Sequence, residues 1–254
     1  MKSRYLKQFI KEVKYKNRIL KKARVLELLE DKSTNPHTIV VVGETLYRAR
    51  IVTDEEKINK KKDFYGYNAK ESFVPPVHLT PDARANYRYI PYLYCSNHAY
   101  IALAEVRPYI GAKVSIATIT VKEPLKLLDF TMQASSEKKM SKEKQNLFED
   151  LSELFFTPVA KDDNCIDYIP TQFIAEYVKQ QGYDGITFSS SVTPEFRHRN
   201  PERYNIVVFN YDKCEVIKSN LFEVERTYID GKQIDEDESR LDIRNYVDES
   251  LSDI

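Results

Sequence analysis

The chain has 254 residues, 39 basic and 39 acidic side chains, and formal net charge +0. That length holds one large domain or one domain with appendages. A hydrophobic content of 42% excludes a wholly disordered chain, and zero net charge excludes a polyanion binder defined by overall charge. No segment approaches the ~20 apolar residues of a membrane helix. The N-terminus has no uninterrupted apolar block, so it does not read as a secretory signal. Three cysteines, none in a C-x-x-C pair, cannot form a full disulfide framework, and a reducing cytoplasm is the expected home. With 6 glycines there is no G-x-x-x-x-G-K or G-x-G-x-x-G string, which excludes P-loop and Rossmann readings.

Taken in chain order, the first segment is basic (Lys7, Lys11, Lys14, Arg18, Lys21, Lys22, Arg24). Leu6, Phe9, Ile10 and Val13 recur there at helical spacing, predicting an amphipathic extension over 1–36. A helix packed on the main domain, with a solvated basic face, is the plainer reading of those charges; a nucleic-acid or partner surface is the other. Ser33-Thr34-Asn35-Pro36 breaks the pattern. β-rich runs follow at 38–42 and 46–52. Residues 53–90 read as a long irregular loop, with Pro75, Pro76, Pro81 and Lys60-Lys61-Lys62.

Tyr92–Cys95 reads as a short strand, and Asn97 as the cap of a helix through 98–107 that Pro108 ends. Strands are expected at 113–121 and 125–129. A helix is expected over 141–156, with Leu147, Phe148, Leu151, Leu154 and Phe155 on one side. Thr171 reads as the cap of another helix, with Phe173, Ile174, Tyr177 and Val178 inward and Gly182 as its stop. Strands at 185–188, 205–209 and 214–217 complete the domain, and an acidic tail occupies 226–254. Strands and helices mix without regular βαβ alternation, so the fold class is α+β.

Four neighbourhoods could carry chemistry. Arg48, in Tyr47-Arg48-Ala49-Arg50, sits on a half-buried strand, where a guanidinium needs an anionic partner. A phosphate fits the guanidinium fork, and a structural salt bridge is the alternative. Arg84 and Asn86 could clamp a ligand from the long loop. Tyr94 lies on a strand, and Glu105 on the flank of an apolar helix face, either at a cleft or in a rim ion pair with a base such as Arg107. Ser189-Ser190-Ser191 follows a strand and could donate hydrogen bonds, or cap a turn. Cys95 and His98 lack what a nucleophile dyad needs, and the four histidines lack metal-ligand spacing.

The order of these segments is more specific than any one of them. Leu46-Tyr-Arg-Ala-Arg50 is followed by Arg84-x-Asn86, Pro91-x-Leu-Tyr-Cys-Ser96 and Ala102-x-Ala-Glu-Val-Arg-Pro108. Then come Leu127-Leu-Asp-Phe130, Gly182-Tyr-Asp-Gly-Ile-x-Phe-x-Ser-Ser191 and Asn205-x-Val-Val-Phe209. This series resembles the RES domain family, whose name records an Arg, a Glu and a Ser. The resemblance implies an ADP-ribosyltransferase-like split β-sheet core with flanking helices, over 37–225, and use of NAD as a substrate without a metal.

It further implies a toxin-type enzyme that cleaves the nicotinamide–ribose bond as a glycohydrolase or phosphorylase. The alternatives are mono-ADP-ribosylation of a protein acceptor and a non-catalytic module with a vestigial pocket. By position Arg48, Glu105 and Ser190 look like the family Arg, Glu and Ser, with the serine register open among Ser189, Ser190 and Ser191. Tyr47, Arg84 and Tyr94 fall at binding positions. The resemblance implies a helix-turn-helix antitoxin as partner, with nucleic acid reached only through it and no membrane. The glycines usual before the Arg84 and Pro91 positions are missing, and Glu195–Arg203 looks inserted.

Overall fold

The computed structural model describes residues 3–20, 22–131, 133–134, 136, 138–157, 165–192 and 203–227. The acidic tail beyond residue 227 and nearly all of the 195–203 insert lie outside these residues. The elements, in chain order, are α1 (Arg4–Tyr15), α2 (Arg24–Glu30), β1 (His37–Val40), β2 (Thr45–Ile51), β3 (Asn59–Lys61), β4 (Phe64–Gly66), α3 (Ala69–Ser72), β5 (Leu93–Ser96) and α4 (Ala99–Glu105). There follow β6 (Lys113–Val121), β7 (Leu125–Asp129), α5 (Lys142–Phe156), α6 (Ile169–Gln180), β8 (Gly185–Ser189), β9 (Tyr204–Val208) and β10 (Cys214–Glu223). The class is α+β. No helix among the described residues is long and apolar enough to cross a membrane.

The ten strands run β1-β7-β8-β9-β5-β2-β6-β10-β4-β3 across one mixed sheet. Its two halves meet weakly. β2 pairs with β6 over Thr45–Ile51, and β5 with β9 over Leu93–Ser96. Between β2 and β5 only Tyr47 and Ser96 pair. Right-handed twist rotates neighbouring strands by roughly 20–25°, and here β2 and β5 diverge on either side of that one contact. The expected split of the sheet lies at this junction.

The pleat sorts the core. Along β8, Ile186 and Phe188 face the helices, and so do Val207 and Phe209 from β9 and its end. They pack with Leu6, Phe9 and Val13 of α1, Leu147, Leu151 and Phe155 of α5, and Ile174 and Val178 of α6. The other face carries Leu93, Cys95, Ile206 and Val208. A third cluster places Ala99, Ala102 and Leu103 of α4 against Tyr47 and Ala49 of β2. The apolar stripe of α1 is therefore part of the main core, with Lys7 and Lys11 exposed.

Several local expectations are corrected. Residues 53–90 are not a structureless loop: they hold β3, β4, α3 and short 3-10 turns. β4 lies parallel to β10 at Phe64 and Tyr65, and the hydroxyls of Ser115 and Ser219 bond the backbone of Tyr67 beside it. The cap of α4 is His98, whose Nδ1 accepts from the Tyr100 amide, while the Asn97 carboxamide accepts from the Tyr204 amide. The helix stops at Glu105, two residues before the expected end. α6 starts at Ile169, before Thr171, because Pro170 fits the first turn without its missing N–H being felt. Gly182 adopts φ +84° and ends α6 as expected.

Candidate functional site

The divergence of β2 from β5 opens a cleft of about 590 Å³, lined by Tyr47, Arg48, Arg84, Tyr94, Glu105 and Asn205 among others. That volume lies within the ~300–1,000 Å³ usual for small-molecule sites.

Side-chain alternation decides which serine reaches Glu105 in the cleft wall. Phe188 pairs with Asn205, and Asn205 with Ser96, so the three side chains share one face. Ser190, two residues beyond Phe188, falls on that face too, where its hydroxyl donates to Glu105 Oε1 at 2.7 Å. Ser189 belongs to the opposite pleat. The Asn205 amide also donates to Glu105 Oε1, while its own carbonyl oxygen accepts from the Ser96 hydroxyl at 2.9 Å. Glu105 is thus fixed through one oxygen by two donors from the far half of the sheet. Among the described residues it pairs with no base, so the rim ion pair with Arg107 does not form.

Among the described residues, Arg48 and Arg84 have no carboxylate partner either. Arg48 Nη1 donates to the Tyr94 carbonyl at 3.3 Å, and its buried Nε has no partner. Burial pulls its pKa down to about 10, with the charge of Arg50 adding to the effect. Arg50 itself points away, over the Tyr67 ring and onto the Glu71 carbonyl. Arg84 Nη1 reaches only the Leu154 carbonyl, at 3.4 Å. Burial lowers its pKa as well, opposed by Tyr168 and Glu105. Two half-buried cations in one cleft, each short of an anion among the described residues, form a receptor for a multiply charged anion such as a pyrophosphate.

Tyr94 acts at both ends. Its carbonyl holds Arg48, and its hydroxyl accepts from the Ala85 amide at 3.0 Å while donating to Asn86 Oδ1 at 2.8 Å. It therefore fixes the turn that presents Arg84. Burial pushes its hydroxyl pKa well above the ordinary tyrosine value. Tyr47 lines the cleft beside the single bridge between the sheet halves.

The structure thus gathers Tyr47, Arg48, Arg84, Tyr94, Glu105 and Ser190 in one place. Reasoning from sequence gave no site role to Asn205, Ser96 or Tyr168, which line the cleft, and placed Arg107 only as an ion-pair partner of Glu105. Asn205 stood in a quoted motif, but a strand asparagine gives no local sign that it meets a carboxylate. Cys95 and His98 make no dyad: the thiol is buried against the Ile206 carbonyl, with its pKa pushed well up by burial, and His98 caps α4. Among the described residues no three His, Cys, Asp or Glu side chains converge as a metal site.

Comparison with known proteins places the chain. The RES domain family model matches residues 44–225. No curated protein matches at a significant level. Among solved structures, a chain of the M. tuberculosis MbcT–MbcA toxin–antitoxin complex is similar at 12% identity and a TM-score of 0.46, covering 78% of this chain and 92% of that one. With the family model spanning most of the chain, the protein is a member of the RES domain family.

Proposed function

We propose that the protein consumes NAD by cleaving its nicotinamide–ribose bond. The observation that carries this reading is a carboxylate fixed by Ser190 and Asn205 in a cleft whose two arginines, Arg48 and Arg84, have no internal anion. Arg48 and Arg84 bind the pyrophosphate. When the glycosidic bond breaks, the bonding pair goes to the pyridinium nitrogen and neutral nicotinamide leaves. Positive charge passes to the ribose as an oxocarbenium ion, which the negative charge of Glu105 stabilises. An acceptor oxygen then bonds to the ribose carbon and sheds its proton. Ser190 and Asn205 keep the Glu105 carboxylate aimed, so little reorganisation is needed during the reaction. Tyr94 holds the Arg84 turn and offers its ring to the substrate.

In the same reading the protein acts as a toxin that a helix-turn-helix antitoxin neutralises; its membership of the RES domain family supports this setting. The test is nicotinamide release from NAD in the presence of water alone, inorganic phosphate, or cell lysate as the source of a protein acceptor. The wild type releases nicotinamide, and the condition that accelerates release names the acceptor. Glu105→Gln still accepts from Ser190 and Asn205 but carries no charge, so release falls by roughly 10²–10³-fold while the melting temperature stays near that of the wild type. A wild-type protein that releases nothing with any of the three acceptors overturns the reading.

A further inference from the structure

Arg107 holds an unusual backbone position. It follows Val106, the C-terminal cap of α4, donates its amide to the Ala104 carbonyl at 3.0 Å, and adopts φ +47°. Helices commonly end on a residue in this left-handed conformation, and that residue is usually glycine because a Cβ there is strained. The residue before a proline has further restrictions, and Pro108 comes next. An arginine is thus kept where glycine is the more stable choice. Strained positions of this kind cluster at binding and catalytic sites.

Among the described residues the side chain has no ion-pair partner that would explain it. Arg107 is exposed and lines the cleft. Its charge is close enough to depress the pKa of Arg84, a repulsion that an anion between the two would relieve.

We propose that Arg107 is a substrate-binding residue, closing with Arg84 on the pyrophosphate of the dinucleotide from the rim of the cleft. This rests on the reading of the cleft as an NAD site. The consequence is a stability–binding trade-off at one residue. Arg107→Gly removes the backbone strain and the charge, so it melts a few degrees higher than the wild type, while KM for NAD rises roughly 10–100-fold. Arg107→Gln keeps the strain and loses the charge, so KM rises without the gain in melting temperature. Arg107→Lys falls between in KM because it retains charge but not the fork.

The closing experiment measures KM and melting temperature for the wild type and the three variants, with thermal shift by inorganic pyrophosphate in parallel. Wild-type KM values in Arg107→Gly and Arg107→Gln overturn the proposal. A wild type that fails to cleave NAD sinks the NAD reading instead. In that case pyrophosphate stabilising the wild type but not Arg107→Gly still supports Arg107 as a polyanion ligand, and equal shifts in both overturn it.

Discussion

Arg48 exemplifies function held against stability. Its folded pKa of about 10 lies below the ordinary arginine value, because burial disfavours the charged form. At every pH below about 10 the residue is charged in both states and the penalty is fully present, and it fades only as pH rises above that value. Because the side chain is only half-buried in an open cleft, screening leaves the penalty at about 1–2 kcal/mol. Arg48→Met, an apolar side chain of similar length, is expected to melt a few degrees higher than the wild type and to lose its thermal shift with NAD. Melting curves with and without NAD check both halves, and a variant that melts lower and still binds NAD contradicts this account. At this scale sequence gave the residue types and the structure gave the choice among them. Three consecutive serines cannot be ranked from sequence, whereas the pleat that sets Phe188 opposite Asn205 puts Ser190 on the Glu105 side. Ser96, whose hydroxyl orients Asn205, and Glu105 itself lie 109 and 100 residues from Asn205 in the chain, which is why the hold of Asn205 on Glu105 has no local signature.

Among the elements, the turn at 82–86 depends on two others. Tyr94 of β5 fixes it through Ala85 and Asn86, and Gln172 of α6 donates to the Ala83 and Asn86 carbonyls at 3.0 and 2.8 Å. Tyr94→Phe keeps the ring in the cleft and removes only the hydroxyl. The expected cost is about 1–2 kcal/mol of stability, with KM for NAD several-fold higher and kcat changed less, because Arg84 loses its fixed position while Glu105 keeps its donors. Steady-state kinetics decide it: a fall in kcat at unchanged KM assigns the hydroxyl to the chemistry instead. α1, α5 and α6 were legible because Leu6, Phe9 and Val13, or Leu147, Leu151 and Phe155, repeat at helical spacing over a dozen or more residues. β3 and β4 were not. Three polar residues, Asn59-Lys60-Lys61, carry no alternation, and this strand pair exists because Gly66 lets the chain pass Ser115, where an added Cβ would lie 2.5 Å from the hydroxyl oxygen. Asn97 was misassigned as a cap because its carboxamide bonds the Tyr204 amide across the sheet.

For the whole molecule, the site and the weak seam of the sheet coincide. α4 packs on β2, so Glu105 belongs to one half, while Ser190 and Asn205 belong to the other. Arg48 on β2 likewise reaches the Tyr94 carbonyl on β5. Apart from the Tyr47–Ser96 pair, these functional side chains tie β2 and α4 to the strands across the junction. The class was readable from the mixture of strands and helices; the seam was not, because its position depends on where two twisted strands part company. A substrate that engages Arg48 of β2 together with Arg84, whose turn is held by Tyr94 of β5, adds a further tie across the same seam. Hydrogen exchange on Glu105→Gln, used so that NAD survives the measurement, should then show slowed amides in 45–51 and 93–96 at saturating NAD. Exchange in β1 and β3, at the sheet's two edges, should stay as it was. Protection spread evenly over the sheet would mean that the ligand stabilises the fold as a whole. No slowing at 45–51 and 93–96 would mean that it does not bridge the halves, and the link drawn here between the split and the site would fail.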